Sequence, residues 1–327
     1  MVAVTGACGH VGANLTRALL KEGREVRALV REDRRALEGL GVQAVRADIL
    51  DPPSLVRAFR GVRSVYHLAA HISLSYTDNR HTLRVNVEGT RNAIDACLQC
   101  GVHRLVYFSS IHSFDPLPRR DLVDETRSLI DSAGGMAYDR SKALAEKDVL
   151  TAAASGLDAV VIIPTAIVGP NDFKPSHAGS TLISLLHGRR RVLVEGGFNW
   201  VDVRDVVQGA IAAEKRGRCG ERYILSGRWL ALDDLCRIVD EVAGCRRKRL
   251  VVPMWLARLL LPFGAVAGRC SSKRPVFTRG SLNVLRHYRF VSHEKAAREL
   301  GYRPRPFVET VTDTVNWFRD NGYLKKE

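Results

Sequence analysis

The chain has little of what would mark a secreted, membrane-spanning or metal-built protein. Its seven cysteines are odd in number and irregularly spaced. That pattern excludes a disulfide framework and points to a reducing compartment. Cys97 and Cys100 form a CxxC, but no second cysteine or histidine pair stands at metal-ligand spacing. They read as two small apolar residues closing a helix, and no metal is expected. No apolar run is long enough to cross a bilayer, because the longest, Val251 to Gly268, is broken by Pro253, Arg258 and Pro262. Arg246, Arg247, Lys248 and Arg249 precede it and Lys273 and Arg274 follow, a pattern compatible with a membrane surface. Helices that cover a substrate pocket are the simpler reading. The opening MVAVTG is already a buried-strand pattern entering a glycine turn, with no leader-like region, so a cytoplasmic location without an integral membrane segment is expected. Acidic side chains are outnumbered 35 to 50, giving a net charge of +15 and a preference for anionic partners. Nucleic acid is not expected among them, because the basic residues form short scattered clusters such as Arg189 to Arg191, with few interleaved aromatics. A phosphate-bearing cofactor suits the charge better.

What is present is a regular alternation. Short apolar runs at Val2–Thr5, Val26–Val30, Val42–Ala47, Ser64–Ala70, Arg104–Ser110 and Ala159–Pro164 are separated by helical patterns. Continuous apolar strands of this kind belong to a parallel sheet covered on both faces. Gly23, Gly41, Gly61, Gly101 and Gly156 stand where the helices should stop. The expectation is an α/β doubly wound (Rossmann) core over residues 1–165, with 201–227 returning to it. Residues 166–200 and 228–327 are expected to form a smaller, mostly helical lobe that binds substrate over the C-terminal edge of the sheet. No internal repeat is evident.

The first strand runs into Gly6-Ala7-Cys8-Gly9-His10-Val11-Gly12 and then directly into a helical pattern. Glycines there permit a tight turn, and a helix N-terminus beyond them can meet a pyrophosphate with free N–H groups. The second strand ends in Arg31 rather than a carboxylate, which suits the 2′-phosphate of NADP. Glu32 and Asp33 next to it keep NAD possible. Asp48 and Ile49 close the third strand, placed to bracket an adenine. Tyr138 and Lys142, at i and i+4, share one helix face. A neighbouring ammonium stabilises a phenolate, so the tyrosine pKa is expected to fall towards neutrality, making it a usable acid or base.

A glycine turn, a Ser109-Ser110 pair at a strand end and a YxxxK about thirty residues later together resemble the extended short-chain dehydrogenase/reductases. The resemblance covers essentially the whole chain, through His67-Leu68-Ala69-Ala70, Asn86-Val87-Glu88-Gly89-Thr90, Trp200-Val201-Asp202-Val203-Arg204-Asp205-Val206 and Leu300-Gly301-Tyr302-Arg303-Pro304. It implies a catalytic set of Ser110, Tyr138 and Lys142: the serine holds the reacting oxygen, the tyrosine transfers the proton, and the lysine also holds the nicotinamide ribose. It further implies that Leu68, Ala69, Ala70 and Pro164 lie against the cofactor, and that the helices carrying Asn86 and Tyr138 pair in a homodimer. Ser109 should point to the other side of the strand. His112 reads as an exposed loop residue, with a place in the pocket as the alternative. The segment Ile162-Ile163-Pro164-Thr165-Ala166-Ile167-Val168-Gly169-Pro170 is similar to dihydroflavonol reductases and close to 3β-hydroxysteroid dehydrogenase relatives. Nucleotide-sugar epimerases carry an arginine and an asparagine where this chain has Ile163 and Ala166. The resemblance therefore implies an oxidoreductase using NADP to reduce a small-molecule ketone or aldehyde. A nucleotide-sugar epimerase or dehydratase is the alternative, and a non-catalytic NADP-binding sensor a second.

Overall fold

Most strands of the first half are apolar along both faces, the polar edge strand Gln43–Arg46 excepted, and the helices between them can cover those faces. The computed structural model describes residues 1–73, 79–131, 136–189, 191–259 and 279–324. In chain order come β1 (Val2–Thr5), α1 (His10–Lys21), β2 (Val26–Val30), β3 (Gln43–Arg46), α2 (Pro52–Phe59), β4 (Ser64–His67), α3 (Asn79–Leu83), α4 (Gly89–Gln99), β5 (Arg104–Phe108), α5 (Ala137–Ala154) and β6 (Ala159–Pro164). Then follow β7 (Ala166–Val168), α6 (His177–Leu186), β8 (Val192–Val194), β9 (Gly197–Asp202), α7 (Val203–Arg216), β10 (Arg222–Leu225), β11 (Arg228–Ala231), α8 (Leu232–Val242) and β12 (Leu250–Val252). Helices at Glu294–Leu300 and Phe307–Asp320 end the described chain.

Seven strands form one parallel sheet in the order β10-β6-β5-β4-β1-β2-β3. The order reverses between β1 and β4, and that switch point opens the crevice where doubly wound folds bind ligands. Alternate residues feed two cores. Ala3, Val65, Leu105, Tyr107, Val161 and Ile163 pack with α2, α4 and α5. Val4, Tyr66, Val106, Phe108, Ile162 and Tyr223 pack with α1, α7 and the helix Glu294–Leu300. That last helix falls in the span expected to belong to the lobe, yet Ala296, Leu300 and Tyr302 are buried against the sheet.

The remaining segments build a third core from α6, α8, β9 and the helix Phe307–Asp320, around Leu182, Trp200, Val239, Val311 and Phe318. Two small sheets belong to it, β11-β9-β7 and β12-β8. Core and lobe are clamped where two of the sequence motifs meet. Asp205 accepts the Arg305 backbone N–H at 2.8 Å and its Nε at 2.9 Å, and the Tyr302 hydroxyl donates to the Ser226 carbonyl at 3.0 Å.

Four of the five glycine stops have positive φ, whereas Gly41 does not; Gly39, two residues earlier, takes that conformation at φ 72°. The fourth strand ends at His67 instead of Ala70, because the Leu68 and Ala69 N–H groups are drawn out of the ladder by the Thr5 hydroxyl. Among the described residues no helix is long and apolar enough to cross a membrane, and no group of three or more His, Cys, Asp or Glu could hold a metal. Of the apolar stretch 251–268, residues 260–268 lie outside the described residues. Cys97 is fully buried, and burial pushes its thiol well above the usual range, so the CxxC is structural.

Candidate active site

The crevice begins at the end of β1. Thr5 Oγ1 accepts the N–H groups of Leu68 and Ala69, each at 3.1 Å, which joins the exits of the two strands at the switch point. With both lone pairs taken, the Thr5 hydroxyl proton goes to His67 Nδ1 at 2.8 Å, leaving Nε2–H to face Thr90 Oγ1 at 3.2 Å. His67 is therefore neutral, and burial, aided by the Lys142 charge, lowers its pKa to about 3.

Gly6 turns the chain at φ 68°, and a Cβ on Gly12 would sit 2.2 Å from the Gly6 carbonyl oxygen, so only glycine closes this turn. Gly9 caps α1 without a side-chain bond. The first-turn N–H groups of His10, Val11 and Gly12 consequently have no intrahelical partner and suit an anion. This set fits the pyrophosphate of a dinucleotide. The His10 side chain does other work: its Nε2 lies 3.1 Å from the carbonyls of both Gly169 and Pro170. Asn14 adds bonds to the Pro170 carbonyl at 2.9 Å and from the Asn171 amide at 3.0 Å. The loop after β7 is thus fastened to the first turn of α1, which the sequence reading missed.

At the end of β2, Arg31 to Arg35 are all exposed. The Asp33 carboxylate is gripped by the Arg35 side chain at 2.7 and 3.0 Å and by its backbone N–H at 3.1 Å, and these bonds hold its pKa near about 2. The charges of Asp33 and Arg34 both reach Cys8 in the glycine turn. The side chains of Arg31 and Arg34 make no hydrogen bond or ion pair among the described residues. Asp48 spends one oxygen on the Leu50 N–H at 2.9 Å. Ile49 is partly buried, its side chain packed against Gly89, where an added Cβ would lie 2.6 Å from its Cδ1. Leu68 and Ala69 are half-buried at the crevice and Ala70 is exposed. Pro164 is buried at the end of β6, opposite Leu225.

The catalytic candidates converge from α5 and the exit of β5. Tyr138, Lys142 and Glu146 follow at successive four-residue steps on one helix face, and all three are buried. Lys142 Nζ donates to the Phe108 carbonyl at 2.6 Å and lies 4.8 Å from the centre of the Tyr107 ring. Burial lowers its pKa to about 8, opposed by the charge of Glu146. The Ser110 hydroxyl accepts the His112 N–H at 3.3 Å, at the β5 exit beside α5. Ser109 instead donates to Glu146 Oε2, which also accepts from Ser113 at 2.7 Å. The two serines therefore serve opposite sides of the strand exit. The phenol departs from expectation: burial pushes Tyr138 up to about 12, with the Ser110 bond acting against it and Asp139 adding to it. Desolvation of the phenolate outweighs anything the nearby lysine does.

Asn86 holds this helix in place. It sits in a π-helical turn, Arg84–Glu88, and its amide accepts from His71 N–H at 2.7 Å and donates to the Ser141 hydroxyl at 2.8 Å. Single π turns inside helices recur at functional sites. His112 is not the exposed loop residue the sequence suggested. It lies in a short helical turn with its ring edge-on to Tyr138 at 6.0 Å and to Tyr288 at 5.6 Å, and its Nδ1 is 3.3 Å from Asp139 Oδ1. Glu146 was legible as a third member of the Tyr138 and Lys142 register. Tyr288, nearly 180 residues away in sequence from Ser110, gave no local signal.

The model of a family described as NAD-dependent epimerase/dehydratase matches residues 2–226. A protein named sterol demethylase protein B, from Methylococcus capsulatus, is 37% identical, covering 98% of this chain and 99% of that protein. A putative dihydroflavonol 4-reductase from Synechocystis is 33% identical over 99% of this chain and 96% of its own. A Pseudomonas aeruginosa structure described as a nucleoside-diphosphate-sugar epimerase superposes with a TM-score of 0.81 at 27% identity, covering 99% of both chains.

Proposed function

The chain belongs to the NAD-dependent epimerase/dehydratase family, and on that premise we propose that it is an NADP(H)-dependent reductase, converting a ketone or aldehyde reversibly to an alcohol. The observation that carries this reading is the buried register of Tyr138 and Lys142 on one face of α5, with Lys142 Nζ donating to the Phe108 carbonyl at the β5 exit, two residues before Ser110. The nicotinamide, when bound, supplies the hydride chemistry at the carbonyl carbon. The chain's own groups manage the oxygen. Tyr138, held as a phenol by burial, is the proton donor in the reducing direction. Ser110 donates a hydrogen bond to the same oxygen and fixes its position. The Lys142 ammonium favours the phenolate left after the proton has gone.

The choice of branch rests on the segment after β6. Ile163 is fully buried in the sheet core, and Ala166 packs against the core of the lobe, so neither position offers a polar grip for a nucleotide sugar. The relative named as a dihydroflavonol reductase supports the same choice, since it matches over nearly its whole length. An epimerase is the second reading, favoured by the Pseudomonas aeruginosa structure. One experiment separates them: NADPH oxidation is followed against a panel of carbonyl compounds, and nucleotide-diphosphate sugars are titrated calorimetrically. Turnover of a carbonyl that Tyr138→Phe lowers by about 10²–10⁴-fold, with NADPH affinity unchanged, is the expected result. A saturable, salt-resistant complex with a nucleotide sugar and no carbonyl turnover overturns it.

A further inference from the structure

In the lobe, β8 and β12 pair in parallel, setting Val192 beside Leu250 and leaving both largely exposed, at 47% and 64%. Val251 faces the other side of the pair, beside Leu193. The chain then turns at Pro253 into helical residues 254–259. Met254 and Ala257 face inward, packing with Val194, Leu282 and Leu285. Their outward neighbours Trp255 and Leu259, one turn apart, stand 67% and 62% exposed. Val192, Leu250, Trp255 and Leu259 are thus four large exposed apolar side chains from two segments joined by the β8–β12 pairing, and clustered apolar exposure of this kind marks an interaction surface.

Cations border this surface. Arg191 lies next to Leu250 through a backbone bond of 2.9 Å from Leu250 N to its carbonyl, and Arg247 reaches the end of α6 at the Leu186 carbonyl, 2.8 Å away. These bonds bring the segments 186–192 and 246–250 together. Within them the exposed side chains of Arg189, Arg191, Arg246 and Lys248 make no hydrogen bond or ion pair among the described residues. The acidic groups of the same elements do not neutralise them. Asp240 is consumed by Arg249 at 2.6 Å and Arg247 at 3.4 Å, and Asp233 and Asp234 by Arg237 at 2.9 and 2.7 Å, so that among the described residues of these elements Glu195 and Glu241 are the exposed carboxylates without a cationic partner.

We propose that this face, Val192, Leu250, Trp255 and Leu259 bordered by Arg189, Arg191, Arg246 and Lys248, docks the protein on an anionic lipid surface. Apolar side chains with a tryptophan among them suit the boundary between acyl chains and headgroups. Unpaired cations beside them are drawn to the negative headgroups, each strengthening binding by about fivefold. An apolar patch meant for a second copy of this chain would bring its own unpaired cations against one another, which the lipid surface avoids.

The test is sedimentation of the full chain with vesicles of phosphatidylglycerol and phosphatidylcholine in equal parts, against vesicles of phosphatidylcholine alone. Binding to the anionic vesicles is expected to be at least about tenfold tighter. The double variants Trp255→Glu with Leu259→Glu, and Arg191→Glu with Lys248→Glu, should each release the protein, while NADPH titration shows that both remain folded. Equal binding to both vesicle types overturns the proposal, as does either folded variant binding like the parent. A concentration-dependent dimer that Trp255→Glu dissolves, with no vesicle binding by the parent, overturns it as well.

Discussion

The Asn86 amide donates to the Ser141 hydroxyl at 2.8 Å, and Ser141 passes its own proton to the Tyr138 carbonyl at 2.7 Å. A residue of the π-helical turn therefore fixes the first turn of the helix that carries the proton donor. Because Asn86 also bonds both the N–H and the carbonyl of His71, it ties the segment after β4 to α5.

Asn86→Ala strips partners from several buried polar groups at once, and each group left unsatisfied costs about 1–3 kcal/mol. We expect a clear loss of stability in urea unfolding together with a fall in kcat larger than any change in KM. Urea curves that superpose on the parent's would remove Asn86 from this role.

Lys142 titrates near about 8, since burial lowers it from its ordinary 10.5 while Glu146 holds it up. Its charged form, present below that pH, is the one that stabilises the departing phenolate. The reductive kcat should thus be steady at neutral pH and decline as pH rises through about 8. Glu146→Gln removes the supporting charge, so the decline should begin at lower pH. Rate profiles of the two proteins decide this; coincident profiles would show that the Glu146 charge does not reach Lys142.

NADP(H) should bind better than NAD(H). With Asp33 consumed by Arg35, the guanidiniums of Arg31 and Arg34 are the groups left for a 2′-phosphate. A charge-assisted bond contributes about 1.5–3 kcal/mol, roughly 10- to 150-fold in affinity. Arg31→Ala is expected to remove most of the preference, and adding Arg34→Ala the remainder, in dissociation constants measured at one salt concentration. Tighter NAD(H) binding by the parent protein would reverse the assignment.

His67 supplies a prediction about acid. Its folded pKa of about 3 lies below the ordinary 6.5, so between these values the unfolded chain holds a proton that the folded one refuses. Stability should therefore fall as pH drops through that window, by at most about 1.4 kcal/mol per unit from this residue. His67→Gln, which keeps polar atoms for Thr5 and Thr90, should unfold less steeply between pH 6 and 4, about the middle of that window. An unchanged slope would place the acid sensitivity elsewhere.

The parts of the site that were legible in sequence are those encoded within a few residues. The Gly6 to Gly12 turn, the strand exits and the Tyr138 and Lys142 register all follow from local spacing, and the alternation of strands and helices announced the sheet. What stayed hidden depends on residues distant along the chain. No periodicity couples His10 and Asn14 to Gly169, Pro170 and Asn171, or His112 to Tyr288, because tertiary closure alone brings them together. The direction of the Tyr138 shift was misjudged for a related reason: spacing reveals the neighbouring charge but not the depth of burial. The packing of Ile49 on Gly89 was hidden in the same way, since a strand-end position says nothing of the glycine gap in α4 that receives the side chain.

The outermost strand of the sheet, β10, pairs with β6 but leaves the ribosome roughly sixty residues after it. At synthesis rates of about 5–20 residues per second, the β6 edge waits for some 3–12 seconds without its neighbour. During that interval the nascent chain presents Ala159–Pro164, an unbroken apolar strand, with one row of backbone groups unpaired. The last strand to arrive is thus also the one that shields the growing polypeptide from pairing with its siblings on the same messenger RNA.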